Sequence, residues 1–301
     1  MSKIAIIGLG HVGSTTAYTL VSRDLVDQLV LFDKDEKIVT AQYKDLKDGQ
    51  VGLNSHLEII KPSLQELKDT DIIIFSAGKI SVQQGSGNRF DELNYTKKVA
   101  DEWGPKIKQS GFNGILINIT NPCDVIARLL QELSELPRNH VFGTGTSLDT
   151  ARMKQAVSDK LGVHANSVHG CVLGEHGMTQ FVPWTSVRIE NTSLSQRLTD
   201  EEQDSLEHQA KQNGMDIFFG KGFTSYGIAN QAALIVQTVL SDSKKIMPVS
   251  VYNPDEAIYI GEPALIGSDG VEKIFPLDLT DQESHKWDKS VQSIKEMYAA
   301  I

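Results

Sequence analysis

Cysteine is scarce in this chain: Cys123 and Cys171 are the only two in 301 residues. Two thiols cannot build the disulfide framework of a small secreted domain, and the expected home is a reducing cytoplasm. Neither sits in a CxxC pair and no HExxH occurs, so no metal site is expected. Basic residues are outnumbered as well: 29 Lys and Arg against 39 Asp and Glu give a formal charge of −10. That excludes the broad basic face a nucleic acid or an anionic membrane would require, while leaving room for a local cationic pocket around a small acid. Long apolar runs are missing too. None approaches the roughly 18 residues of a membrane span, and Met1-Ser2-Lys3 leads into a stretch too short for a signal peptide, so no export signal is expected. A hydrophobic content of 40% and a charged content of 23% are those of a globular chain long enough for two ordinary cores.

What the chain does contain starts at once. The β-branched run Ile4–Ile7 enters Gly8-Leu9-Gly10-His11-Val12-Gly13, and a helix with Ala17, Leu20 and Val21 on one face follows. Strand, glycine turn and helix in this order form a dinucleotide site. Gly8 permits the tight turn, Gly10 lets a diphosphate approach the backbone, and Gly13 lets helix and strand pack closely. The helix N-terminus then meets the diphosphate with free N–H groups. A second apolar strand, Leu29–Phe32, ends in Asp33, twenty residues after Gly13, where an acid receives the adenine ribose hydroxyls. Asp33 repels a 2′-phosphate, so NAD is expected rather than NADP.

The alternation of strand and helix continues. Strands are expected at 57–60, 71–76 and 114–120, and helices near 36–48, 91–110 and 123–134. Near-continuous apolar strands in such alternation imply a parallel sheet covered on both faces. Asp33, Ser76-Ala77-Gly78 and Ile119–Asn121 then fall at strand carboxyl ends, where ligands of these sheets lie. The segment from Lys79 to Arg89 is rich in glycine and polar residues, including Gln83, and suits a lid whose closure would carry the Arg89 cation into the site. Val141–Thr146 is expected to be the sheet's last strand, dividing a nucleotide-binding unit, 1–144, from a substrate unit, 145–301.

The second half carries acid–base candidates. Ser147 is expected to cap a helix over 148–161, from which Asp149 and Arg152 project on one face. Asp149 can orient an imidazole as the acid of a catalytic triad does, and Arg152 offers a planar fork for a carboxylate. The imidazole candidate is His176, in Gly174-Glu175-His176-Gly177 after a strand over 171–173. A long helix over 198–219, broken near Asn213-Gly214, is expected next. Ser225 is expected to cap a following helix and to place Thr224 near an anionic substrate. A hairpin around Ser268-Asp269-Gly270 and a terminal helix opened by Thr280 complete the chain.

Gly8–Gly13, Ser76–Gly78, Arg89, Asn121-Pro122, Leu148–Arg152, Gly174–Gly177 and Lys221–Ser225 stand in one order, and in it the chain resembles the L-lactate/malate dehydrogenase family over nearly its whole length. Within that family it is most similar to the L-2-hydroxyisocaproate dehydrogenases, through the long lid and the segment 220–227. The resemblance implies an α/β architecture: an N-terminal Rossmann doubly wound parallel sheet and a C-terminal α+β catalytic domain in a homodimer or homotetramer. It implies NAD bound by Gly8, Gly10, Val12, Gly13, Asp33, Ser76, Ala77, Gly78, Ile119 and Asn121. Catalysis falls to His176, Asp149 and Arg89, and the 2-oxo acid to Arg152, Arg89, Asn121, Gln83 and Thr224. Glutamines on the lid argue against a dicarboxylate, and its Gly85-Ser86-Gly87 run suggests a branched or medium aliphatic side chain. Lactate dehydrogenase is the alternative, malate dehydrogenase a weaker one, and a structural or sensing NAD-binding protein the non-enzymatic one.

Overall fold

A computed structural model describes residues 1–53, 56–78 and 89–301. The first half alternates as expected: β1 (Lys3–Ile7), α1 (His11–Ser22), β2 (Gln28–Phe32), α2 (Glu36–Gly49), β3 (Glu58–Ile60), β4 (Ile72–Phe75), α3 (Arg89–Ser110), β5 (Ile115–Asn118), α4 (Cys123–Ser134) and β6 (Val141–Gly143). The spatial order β3-β2-β1-β4-β5-β6 is parallel throughout, the doubly wound arrangement. Alternate residues of one strand enter different cores. Ile4, Ile6, Ile72 and Ile74 join one cluster, and Ala5, Ile7, Ile73 and Phe75 the other. Both faces are therefore buried, which is why these strands read as unbroken apolar runs.

The second half comprises α5 (Ser147–Leu161), β7 (Val168–His169), β8 (Arg188–Ile189), β9 (Thr192–Ser193), α6 (Asp200–Lys221), α7 (Tyr226–Leu240), β10 (Lys245–Asn253), β11 (Ile258–Gly267), β12 (Gly270–Ile274) and α8 (Asp281–Ala299). Here β6 is not the edge of the sheet. Strand β10 pairs with it antiparallel at Ser250 and Gly143, and β11 and β12 extend the same sheet to nine strands. Val182, Trp184 and Leu206 join Met153 and Val157 of α5 in a separate core.

Several local expectations change. Thr146, not Ser147, occupies the N-cap of α5, and the buried Ser147 hydroxyl has no partner among the described residues. Residues 171–173 form no regular strand; Leu173 and Gly174 make isolated bridges to Phe181 and Gly261. Helix α6 starts at Asp200 behind a Thr199–Glu202 capping box and runs unbroken through Gly214. A Cβ there would lie 2.9 Å from Arg152 Cζ, so the glycine serves side-chain approach rather than a break. Ser225 stands at the N-cap of α7, but its hydroxyl makes no capping bond. The hairpin β11–β12 and the Thr280–Glu283 capping box of α8 are as expected.

Two of the three turn glycines are sterically required. Gly8 has φ +96°, and a Cβ would lie 2.7 Å from Ala77 Cα; at Gly13 it would lie 1.9 Å from the Gly8 carbonyl oxygen. Gly10 has nothing within 4 Å of that position. Gly13→Ala is therefore expected to lose about 1–3 kcal/mol of folding stability, and Gly10→Ala less than about 0.5. Chemical denaturation of both variants checks this, and equal losses would contradict it.

Candidate functional site

The carboxyl edge of the parallel strands carries a cleft of about 130 Å³, lined in part by Gly10, Val12, Ser76, Gly78, Ile119, Asn121 and Thr224. Seven residues expected in the site thus meet from three strand ends, those of β1, β4 and β5, and the α6–α7 link. The loop after β5 is rigidly built: Asn118 Nδ2 donates to the carbonyls of Thr120 (3.0 Å) and Cys123 (2.9 Å), and Thr120 Oγ1 donates to those of Phe75 and Ala77 (both 3.3 Å). These bonds set Asn121 beside Ala77 and Gly78. Gly10 occupies the N-cap of α1 and no side chain caps that helix, leaving its first turn suited to an anion. Asp33 stands at the end of β2, where its carboxylate accepts from Leu9 N (2.8 Å) and Asp35 N (3.1 Å). Gly10's open flank, the uncapped helix and Asp33 fit a dinucleotide diphosphate and its adenine ribose.

His176, Asp149 and Arg152 come together in a second cluster. Asp149 lies in the first turn of α5 with its carboxylate 2% exposed. Its Oδ2 is 2.6 Å from His176 Nδ1, and its Oδ1 accepts from Arg152 Nη1 at 3.2 Å. Burial pushes this carboxyl up, yet His176 and Arg152, with the Gln180 side chain, hold it below its ordinary value. It is therefore an anion near neutral pH, which makes Nδ1 the donor and assigns Nε2 to face a reacting group. Arg152 is mostly enclosed (side chain 16% exposed), and among the described residues its Nε is buried without a partner. A guanidinium that keeps part of its surface exposed beside an imidazole is suited to gripping a carboxylate. Gln83 and the expected lid lie outside the described residues, as does the side chain of Arg89, whose backbone opens α3.

The loop holding His176 is fixed from several sides. Gly174 exchanges backbone bonds with Gly261 of β11 (3.1 and 3.0 Å), and Gly177 N donates to Gln180 Oε1 (3.1 Å). Behind His176 stands Asp124 in the first turn of α4, a residue the sequence reading missed. Its Oδ2 accepts from His176 N (2.9 Å) and its Oδ1 from Ser250 Oγ of β10 (2.6 Å). The available signal was a lone acid amid Cys123, Val125, Ile126 and Ala127; nothing local identified its partners. Burial pushes the Asp124 carboxyl up to about 6, against the bonds from Ser250 and His176. The two cysteines are buried and free, with burial raising both thiols to about 12, and neither offers a thiolate. Among the described residues no group of His, Cys, Asp and Glu could hold a metal ion, and no helix is long and apolar enough to cross a membrane.

The chain is similar to known proteins over its whole length. Residues 2–143 match the NAD-binding domain of lactate/malate dehydrogenase, and residues 146–300 match that family's alpha/beta C-terminal domain. An L-lactate dehydrogenase of Halalkalibacterium halodurans is 34% identical over 304 residues, covering 100% of this chain and 97% of the relative. The minor L-lactate dehydrogenase of Enterococcus mundtii, with ligands bound, superposes with a TM-score of 0.95 at 29% identity, covering 100% and 98% of the two chains. A Cryptosporidium parvum lactate dehydrogenase in complex with lactic acid and nicotinamide adenine dinucleotide gives 0.94 at 27% identity, covering 99% and 97%.

Asp124 yields a prediction whose sign follows from its raised pKa. Between the ordinary value of 3.8 and about 6 the folded state binds the proton that the unfolded state has lost, so stability falls as pH rises across that window. The full difference is about 3 kcal/mol. Asp124→Asn removes the ionisation, so its stability relative to the parent should increase between about pH 4 and pH 7. Thermal unfolding across that range measures it; a difference independent of pH would refute the buried charge.

Proposed function

The chain belongs to the lactate/malate dehydrogenase family, and we propose that it interconverts a small 2-oxo acid and its L-2-hydroxy acid, with pyruvate and lactate as the principal pair. One observation carries the reading: a single buried carboxylate, Asp149, joins the His176 imidazole to the Arg152 guanidinium. An imidazole with a fixed proton and a neighbouring carboxylate grip are what 2-oxo acid reduction requires.

In the proposed cycle Arg152 holds the substrate carboxylate through its planar fork, which directs the 2-oxo carbon toward the dinucleotide cleft. Bound NAD supplies or accepts the hydride. Reduction places negative charge on the 2-oxo oxygen, and protonated His176 donates its Nε2 proton there; in oxidation the neutral ring takes it back. Asp149 keeps the proton on Nδ1 and stabilises the imidazolium. Asn121 and Thr224 line the substrate side of the cleft. Arg89 and Gln83 take the roles the family resemblance implies, polarising the carbonyl and bordering the substrate's far end. Gly8, Gly10, Val12, Gly13, Ser76, Ala77, Gly78 and Ile119 cradle the cofactor, and Asp33 receives its ribose. The units 1–144 and 145–301 divide cofactor and substrate binding, in a cytoplasmic homodimer or homotetramer.

The choice of pyruvate rests on relatives that bear the name L-lactate dehydrogenase. The bulkier aliphatic substrates suggested by the lid's length have no such support. Oxaloacetate is disfavoured because the sequence has Gln83 and Gln84 nearest the position where the family resemblance puts a malate enzyme's arginine, and an unpaired buried charge is costly.

A panel of pyruvate, 2-oxobutyrate, 2-oxoisocaproate and oxaloacetate, assayed with NADH, is expected to give pyruvate the highest kcat/KM and oxaloacetate the lowest. A clear lead for 2-oxoisocaproate would restore the hydroxyisocaproate-type reading, and no turnover at all would favour a sensing or structural protein. His176→Ala should lower turnover at least about 100-fold while leaving NADH affinity nearly intact; rates near the parent's would remove His176 from the chemistry. NADH should be strongly preferred to NADPH, and Asp33→Ser should narrow the gap. Indifference of the parent to the 2′-phosphate would contradict the role of Asp33.

A further inference from the structure

One contact across the cleft uses residues without an assigned role. His11, the first residue of α1, lays its ring on Phe223 with centroids 3.6 Å apart and planes 2° from parallel. Phe223 belongs to the short link between α6 and α7. Gly222 ends α6 in a left-handed conformation (φ +80°), and Ser225 stands at the N-cap of α7, so Phe223 and Thr224 alone span the gap. His11, Phe223 and Thr224 all line the cleft. Lys221 Nζ adds a cation 4.9 Å from the Phe223 ring centroid. Behind the link, α7 packs tightly on α5: a Cβ on Gly227 would come within 2.7 Å of Leu148 Cδ1, one residue before Asp149. The link is thus pinned to α5 on one side and to the dinucleotide turn on the other.

Rings left to themselves favour offset or edge-to-face contacts over a nearly centred overlap. The His11–Phe223 geometry is therefore imposed by the two backbones that carry the rings. A two-residue link has little freedom once one of its side chains is held, so the position of Phe223 sets that of Thr224.

We propose that His11 and Phe223 are positioning residues: their stack ties the Thr224 link to the dinucleotide turn and so pre-organises the substrate side of the cleft. The proposal rests on the 2-oxo acid dehydrogenase reading above. Because the link is ordered before substrate arrives, less of the substrate's binding energy goes into ordering it. The contribution falls on substrate affinity, since His11 and Phe223 take no part in proton or hydride transfer.

The test is a double-mutant cycle on the full-length protein, with pyruvate and NADH kinetics and fluorescence titration of NADH alone. His11→Ala and Phe223→Ala should each raise the pyruvate KM about 3- to 10-fold, the worth of one aromatic pair. Shifts in kcat and NADH affinity should stay within about twofold. The double variant should be no worse than the poorer single one, because both remove the same contact. Phe223→Leu, similar in bulk but without a ring face, should match Phe223→Ala, and Phe223→Tyr should regain most of the lost affinity. Multiplying losses in the double variant, a Phe223→Leu variant as good as Phe223→Tyr, or a loss carried by NADH affinity would each overturn the proposal. A parent enzyme active on pyruvate with indifferent variants refutes the stack alone. A parent inert toward every 2-oxo acid refutes the dehydrogenase reading beneath it.

Discussion

Burying the Asp149 carboxylate is the constraint on which the rest of the site depends. An ion taken from water costs several kcal/mol unless charged or hydrogen-bonding partners replace the solvent. At 2% exposure Asp149 has almost no water, and His176 and Arg152 take its place. Removing either partner would leave the charge with half its compensation. The requirement brings α5 and the His176 loop to one point and keeps a guanidinium where it is mostly shielded. Helix α6 makes room for that guanidinium with a glycine at 214.

The sheet delivers the other half of the chemistry to the same region. Parallel strands bring their loops out at one edge, so the glycine turn, Ser76–Gly78 and Asn121 converge there, and the Thr120 hydroxyl ties the last two loops together. The C-terminal strands then couple this edge to the His176 loop. Ser250 of β10 donates to Asp124, and Asp124 accepts from the His176 backbone. A segment far along the chain thereby braces the imidazole. Glycine-to-glycine pairing of residue 174 with 261 of β11 adds a second brace.

Charge is distributed accordingly. In a chain with a formal charge of −10, the places suited to an anion are local ones, the Arg152 guanidinium and the uncapped start of α1, rather than its overall field. Among the described residues Arg152 Nε is buried without a hydrogen-bond partner.

Features decided within a few residues were legible in the sequence. The turn Gly8–Gly13 and the acid ending β2 depend on backbone sterics and strand length, and apolar runs reported the doubly buried sheet because every residue in them enters a core. The i,i+3 spacing of Asp149 and Arg152 placed both on one face of α5. Long-range partnership was not legible. Nothing near Asp124 reveals Ser250, and nothing near His11 reveals Phe223. Gly214 read as a helix break because its contact, Arg152, is distant in sequence. Of β10–β12 only the hairpin around residues 268–270 was legible, and 145–301 read as a unit apart from the sheet, because the β6 edge they complete is formed by residues a hundred positions earlier. The sequence alone determined which groups are present and how each local segment folds. Tertiary structure alone decided which buried charges meet, because that energy depends on what replaces water around them.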